Sequence, residues 1–306
     1  MSTPIVIDCD PGHDDAIAIL LALASPEVEL RGITTVAGNQ TLEKTTRNAL
    51  KVLEVVARTD VPVAAGADRP LVRELRTAPN VHGETGLDGP DLPEPTTKPV
   101  DAHAADLLAE LLEPGVVLVP TGPLTNVALL LDRHPAVRQR LERIVWMGGA
   151  IAEGNVTPAA EFNAFVDPEA AAAVFASGIE VTLIGLDITH QALFTRAHAD
   201  RLRDTGRAGR VVAELSDFFQ RFHESRYGFD GSPIHDALAV AAVIDPSLVT
   251  TVECNVEIEI ASQHCDGRTV VDRWHVTDRP RNCRAGVGVD AERFLELLVE
   301  RISALG

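Results

Sequence analysis

The sequence predicts an α/β fold: a mostly parallel sheet with helices on both faces, in one domain spanning residues 1–306. Three observations carry this. Apolar, β-rich runs alternate with helix-period segments along most of the 306 residues, the pattern of a parallel sheet crossed by helices. Several of the strand runs are continuously apolar, as strands buried on both faces tend to be. Polar residues recur at the ends of successive strands, where open α/β sheets place their ligand sites.

The elements follow in chain order. Strands are predicted at Ile5–Asp8, Leu30–Val36, Val61–Ala65, Val116–Thr121, Ile144–Met147 and Val181–Ile184. The apolar run Ala16–Ala24 follows the first strand. Thr41–Ala57 reads as a helix because Leu42, Ala49, Leu50, Leu53 and Val56 share helical spacing. Leu107, Leu108, Leu111 and Leu112 form a similar stripe after Asp101, and Phe294, Leu298, Ile302 and Leu305 another near the C-terminus. Ala237–Ile244 is an apolar helix opened by the polar cluster Ser232–Asp236. Two segments break the rhythm. Gly66–Pro99 is rich in Pro and Gly, and Gly148–Val166 is a shorter stretch of the same kind. Long irregular segments in a compact domain are usually functional. No repeat, low-complexity tract or interdomain linker is evident.

Composition excludes several classes. With 45% hydrophobic residues, a sizeable core is available. A net charge of −18 opposes binding to nucleic-acid phosphates or anionic membranes. Aromatic residues make up only 4%, with a single tyrosine, so stacking on successive bases is not expected. No apolar run is long enough to span a bilayer. The chain enters a strand almost at once, which leaves no room for a signal peptide. Cys9, Cys254, Cys265 and Cys283 form no CxxC pair and no zinc spacing. The expectation is a cytoplasmic protein in a reducing compartment, with neither nucleic-acid nor membrane partners.

The densest chemistry lies in Asp8-Cys9-Asp10-Pro11-Gly12-His13-Asp14-Asp15, at the first strand-to-helix junction. Asp is a favoured N-cap, and acidic residues suit a first helical turn, which accounts for any one of these carboxylates taken singly. Crowded together they repel one another, and a hard divalent cation with oxygen ligands, Ca²⁺ or Mg²⁺, would relieve that repulsion. An EF-hand loop fits poorly: counted from Asp8, the glycine falls one place early and Ile19 stands where the loop needs Glu. A phosphatase with an Asp-x-Asp motif, Asp8 as nucleophile and Mg²⁺ as cofactor is an alternative. It would need a lysine at a strand end, and the strand ends here offer none.

Six segments in order resemble the inosine–uridine preferring nucleoside hydrolases, most closely the bacterial ribonucleoside hydrolases with pyrimidine preference. They are Asp8–Asp15, Asn80–Gly89, Thr121–Asn126, Met147-Gly148-Gly149, Pro158–Asn163 and His235-Asp236. The resemblance runs from about residue 3 to the C-terminus. It implies a Rossmann-like open α/β fold and hydrolysis of the N-glycosidic bond of ribonucleosides (uridine, cytidine, inosine) to ribose and free base. It also implies one Ca²⁺ per chain, held by Asp10, Asp15, Asp236 and the Thr121 carbonyl, and assembly as a homo-tetramer or homo-dimer.

The chemistry of such a bond agrees with these residue types. Its cleavage builds positive charge on the sugar, which an anionic pocket favours over the neutral substrate. Asp10 is the candidate general base toward water held at the metal. His235, whose reference pKa is near neutrality, is the candidate proton donor to the leaving base; the alternative for it is a cap on the helix that follows. Asp14 is assigned to the ribose hydroxyls. Asn39, Asn155, Glu161 and Asn163 match the family's other ribose contacts. His82 is placed in the base or ribose pocket, Phe162 near the sugar, and Tyr227 beside the leaving-group histidine. His13 receives no role. A non-catalytic nucleoside-binding protein is the third reading, and the pairing of a base with an acid argues against it.

Overall fold

The computed structural model describes residues 2–306. It contains strands β1 (Thr3–Cys9), β2 (Val28–Thr35), β3 (Val63–Ala65), β4 (Val117–Pro120), β5 (Arg143–Met147), β6 (Glu180–Ile184), β7 (Leu193–Phe194), β8 (Ser232–Pro233), β9 (Val249–Ile258), β10 (Thr269–Asp272) and β11 (Cys283–Val289). The helices are α1 (His13–Ala24), α2 (Leu42–Val55), α3 (Pro79–His82), α4 (Ala104–Leu111), α5 (Thr125–Arg133), α6 (Phe162–Val166), α7 (Pro168–Phe175), α8 (Leu186–Thr189), α9 (Arg196–Leu202), α10 (Arg207–Tyr227), α11 (His235–Ile244) and α12 (Ala291–Ser303).

Nine strands form one sheet in the order β10-β9-β11-β6-β5-β4-β1-β2-β3. From β11 to β3 every neighbouring pair is parallel; β9 is antiparallel to both β11 and β10. The fold class is therefore as the sequence predicts, and each of the six predicted strands is present. Alternation along β1 shows why its run is continuously apolar. Ile5, Ile7 and Cys9 enter the core on one face with α1, α2, α10, α11 and α12, while Val6 enters the other with α4, α5 and α7. Burial on both faces removes the polar side that a half-exposed strand would show.

Three features go beyond the expectations. The strands β9, β10 and β11 extend the sheet beyond β6. Helix α10 runs from Arg207 to Tyr227. Helix α11 begins at His235, two residues before the expected apolar start, with Ile234 as its N-cap residue. Within Gly66–Pro99 the only helix is the four-residue α3, so the segment is irregular as expected. No helix is long and apolar enough to cross a membrane among the described residues.

Candidate active site

The carboxyl ends of β1, β2, β4 and β5 share one edge of the sheet, and the acidic turn between β1 and α1 lies there. Helix α11 packs against α1, which brings Asp236 to the same place from the far end of the sequence. Carboxylate oxygens of Asp14, Asp15 and Asp236, all buried, lie within 4.8 Å of one another. Asp10 sits beside this trio and is itself fully buried.

Neutral donors hold the floor in place. The Asn39 backbone N–H donates to Asp10 Oδ2 at 2.6 Å. Asp15 accepts from the Gly12 N–H (2.9 Å), Asn39 Nδ2 (3.2 Å) and the Thr121 hydroxyl (2.8 Å). Asp10 Oδ1 is buried with no partner. Two glycines make room for this carboxyl group: a Cβ on Gly38 would fall 2.1 Å from Asp10 Oδ2, and one on Gly122 2.7 Å from Oδ1.

Burial raises all four acids, and repulsion adds to it for Asp10, Asp14 and Asp236. Asp14 is pushed up to about 8, by burial and then by Asp15. Asp10 is raised well above the usual carboxylate range by burial and then by Asp15. Asp236 rises likewise through burial and the charges of Asp14, Asp15 and Asp10. Asp15 rises through burial, opposed by the hydrogen bonds from Gly12 and Thr121. These groups chiefly feel one another rather than a basic side chain. An all-oxygen donor set, crowded carboxylates and an orphaned oxygen on Asp10 suit a hard divalent cation. The expected ligands Asp15 and Asp236 thus stand together with Asp14, and Asp10 adjoins them. The Thr121 carbonyl faces Asn163, whose Nδ2 donates to it at 2.8 Å.

Above this floor opens a cavity of about 420 Å³, within the range that holds small organic ligands. Asp14, Asn39, His82, Thr121, Asn155, Glu161, Phe162, Asn163, Tyr227, His235 and Asp236 all line it. Asp10 and Asp15 do not, and lie beneath. Glu161 is more structural than the sequence suggests. Its carboxylate caps α6, accepting from the backbone N–H groups of Gly149 (2.7 Å), Asn163 (2.9 Å) and Ala164 (3.1 Å). Asn155 Oδ1 likewise accepts the Phe162 N–H at 2.9 Å. Both shape the wall through the backbone.

The opposite wall is built of histidines and aromatic rings. His235 does not cap α11; it is the helix's first residue, and its Nδ1 lies 2.7 Å from the Thr189 hydroxyl. Burial, then the neighbouring His190, His223 and His82, keeps its pKa well below the usual histidine value. The ring centroids of His190 and His223 lie 5.5 and 6.3 Å from that of His235. Tyr227 stacks on His223 at 6.0 Å. His82 stacks on Phe219 at 5.3 Å, and its Nδ1 meets His13 Nδ1 at 3.2 Å. His13, given no role from sequence, thus packs behind a cavity residue.

Asp8 lies deeper. Its Oδ1 accepts from the Thr34 hydroxyl (2.6 Å) and Asn126 Nδ2 (2.7 Å), and the residue is fully buried and outside the cavity wall. Burial pushes it up to about 7. Asp8 is thus tied to Thr34 and Asn126 and set apart from the carboxylate cluster that Asp10 adjoins, which disfavours the Asp8-nucleophile phosphatase.

Sequence reasoning missed Thr189, His190, Phe219, Phe222 and Arg226. Part of the signal was present: Phe219, His223 and Tyr227 recur every fourth residue on α10, as do Phe222 and Arg226, which places each set on one helical face. For Thr189 and His190 there was none, because only the packing of α8 against α11 brings them to the site.

A family profile described as inosine-uridine preferring nucleoside hydrolase matches residues 5–296. The pyrimidine-specific ribonucleoside hydrolase RihA of Photobacterium profundum is 52% identical over 309 residues, covering 99% of each chain. RihA of Salmonella typhi, of the same description, is 52% identical over 307 residues, again covering 99% of both. Among solved structures, a purine-preferring ribonucleoside hydrolase from Gardnerella vaginalis superposes with a TM-score of 0.93 at 36% identity, covering 99% of this chain and 98% of that one.

Proposed function

Because the chain belongs to the inosine-uridine preferring nucleoside hydrolase family, and is therefore a ribonucleoside hydrolase, we propose that it is a Ca²⁺-dependent enzyme that hydrolyses pyrimidine ribonucleosides such as uridine and cytidine to ribose and free base. One observation carries the reading: a cavity of nucleoside size has a floor of buried carboxylates and, facing it, a wall of histidines. The floor suits a sugar that becomes cationic, and the wall suits a departing base whose developing negative charge needs hydrogen-bond donors.

The residues divide the work between these two sides. Asp15, Asp236, Asp10 and the Thr121 carbonyl are the groups that would hold Ca²⁺, with Asp14 beside them. When bound, the cation supplies a Lewis-acidic centre that orients the sugar diol and lowers the pKa of water. Asp14, Asn39 and Asn163, which line the cavity, are assigned to the ribose hydroxyls. As the C1′–N bond breaks, the carboxylate floor favours the developing positive charge over the neutral ground state. Water forms the new C1′–O bond and its proton passes to Asp10. The bond's electron pair stays with the base, whose developing negative charge is stabilised by a hydrogen bond from the His235 ring N–H and which takes its proton from solvent. The pyrimidine preference is supported by the names of the relatives at 52% identity, set against the purine-preferring enzyme at 36%.

Rates with uridine, cytidine, inosine and p-nitrophenyl phosphate, measured side by side, test the reading. Uridine and cytidine are expected to give the highest kcat/KM and the phosphate ester no turnover. A preference for inosine would overturn the base assignment, and absence of any ribonucleoside hydrolysis the function itself.

A second expectation concerns the sugar. 2′-Deoxyuridine is expected to lose at least about 10²-fold in kcat/KM relative to uridine. A site built to bind a hydroxyl rejects the analogue lacking it, by up to roughly 10⁴–10⁵-fold. Equal kcat/KM for the two would show that the carboxylate floor does not grip the 2′-hydroxyl.

A further inference from the structure

We propose that Thr189 is a positioning residue for departure of the base: its hydroxyl donates to Nδ1 of His235 and holds the ring in the tautomer that carries its proton on Nε2, the atom left to the cavity. The inference rests on the proposed role of His235 and extends it to a residue 46 positions away in the chain.

The argument begins with hydrogen-bond accounting. Thr189 is fully buried at the end of α8, and its hydroxyl has one partner among the described residues, His235 Nδ1 at 2.7 Å. A buried hydroxyl proton without an acceptor is costly. If Nδ1 carried the ring proton, Thr189 could only accept, and its own proton would have nowhere to go. If Nδ1 is bare, the hydroxyl proton is satisfied and the bond is complete. The geometry therefore selects the bare-Nδ1 form. A neutral imidazole has one proton, so it must then sit on Nε2. His235 lines the cavity, and with Nδ1 engaged Nε2 is its remaining polar atom.

This matters because a neutral histidine donates from one nitrogen only. With the proton on Nδ1, His235 would present a lone pair to the leaving base and could not donate a hydrogen bond to its developing negative charge. The backbone around Thr189 is fixed at both ends: its N–H donates to the Gly185 carbonyl at 3.2 Å, and its carbonyl accepts from the Ala192 N–H at 3.1 Å. The hydroxyl is thus aimed by α8 and not by a loose loop.

The test combines kinetics with a spectroscopic readout. Thr189→Val keeps the side-chain shape and removes the donor; Thr189→Ser keeps the donor. Each is assayed with uridine and with p-nitrophenyl riboside, whose nitrophenolate leaves without a proton. Thr189→Val is expected to lower kcat for uridine on the order of 10-fold, below the roughly 10²–10⁴-fold of losing a general acid outright. KM and the p-nitrophenyl riboside rate are expected to stay near wild type, and Thr189→Ser to recover most of the uridine rate. In a His235→Ala background Thr189→Val is expected to cost nothing further, because the two act as one unit.

Nitrogen-15 NMR of the free enzyme reads the tautomer directly, with the His235 signals identified by their loss in His235→Ala. The expected wild-type ring has an unprotonated Nδ1, and Thr189→Val shifts the population toward Nδ1–H. A wild-type ring protonated on Nδ1 overturns the proposal, and does not depend on Thr189→Val folding. Equal slowing of both substrates by Thr189→Val overturns it too. If His235→Ala itself slows both substrates equally, the proposed role of His235 fails; if His235→Ala is selective and Thr189→Val is not, only the role of Thr189 fails.

Discussion

Asp10→Asn is expected to lower kcat by about 10²–10⁴-fold on every ribonucleoside while the protein stays folded. The amide is isosteric with the carboxylate, which matters in a site closed by Gly38 and Gly122 with no room for a larger group. Its carbonyl oxygen can still accept the Asn39 N–H that now meets Asp10 Oδ2 at 2.6 Å. What the amide cannot do is take a proton from water. It also removes one charge from a cluster in which Asp15 raises Asp10, so the fold is not expected to suffer. The check is kcat for uridine beside circular dichroism and a thermal melt. A near-wild-type rate would remove Asp10 from the mechanism, and a lost fold with no activity would show it to be a structural acid.

Stripping the divalent cation with a chelator is expected to make stability fall as pH rises from about 4 to about 8. Asp14 is raised to about 8, and Asp8 and Glu161 to about 7, in each case chiefly by burial. In the unfolded chain these acids titrate near 4. Between those limits the folded, metal-free protein holds more protons than the unfolded chain, so raising the pH favours unfolding. Bound Ca²⁺ would supply the counter-charge that the protons supplied, so adding it is expected to flatten this dependence. At one hundred times its dissociation constant it adds about 2.7 kcal/mol. Melting temperatures at pH 5 and pH 8, with chelator and with added Ca²⁺, test this, together with elemental analysis of the dialysed protein. Chelated protein that gains stability between pH 5 and pH 8 would contradict the account, as would a stoichiometric zinc ion.

The parallel strands were legible because burial on both faces leaves an unbroken apolar run, as in β1, β4 and β5. Strands β9–β11 were not. Val249–Ile258 carries Glu253 and Glu257 on exposed positions, and Cys283–Val289 contains two glycines, which are poor strand formers. Their pairing depends on neighbours and not on local pattern. The acidic turn was legible because four carboxylates in eight residues need a counter-charge wherever they fold. Glu161, read from sequence as a sugar contact, lines the cavity and also caps α6 through the Asn163 and Ala164 N–H groups while holding the Gly149 N–H, which no local pattern showed.

By itself, then, the sequence determined the sheet's parallel core, the acidic turn at the end of its first strand and the family of hydrolases to which the chain belongs. Each is written locally, in runs and motifs a few residues long, where hydrophobic periodicity and charge crowding act without reference to the rest of the chain. Only the tertiary structure decided how the ends of separate elements meet. Packing of α11 on α1 brings Asp236 to within 4.8 Å of Asp14 and Asp15, and the seating of α8 places the Thr189 hydroxyl 2.7 Å from His235. It also buried Asp8 out of reach while leaving Asp14 at the cavity. The reason is physical: hydrogen bonds and desolvation depend on distances between residues far apart in sequence, and those distances exist only once the core has packed.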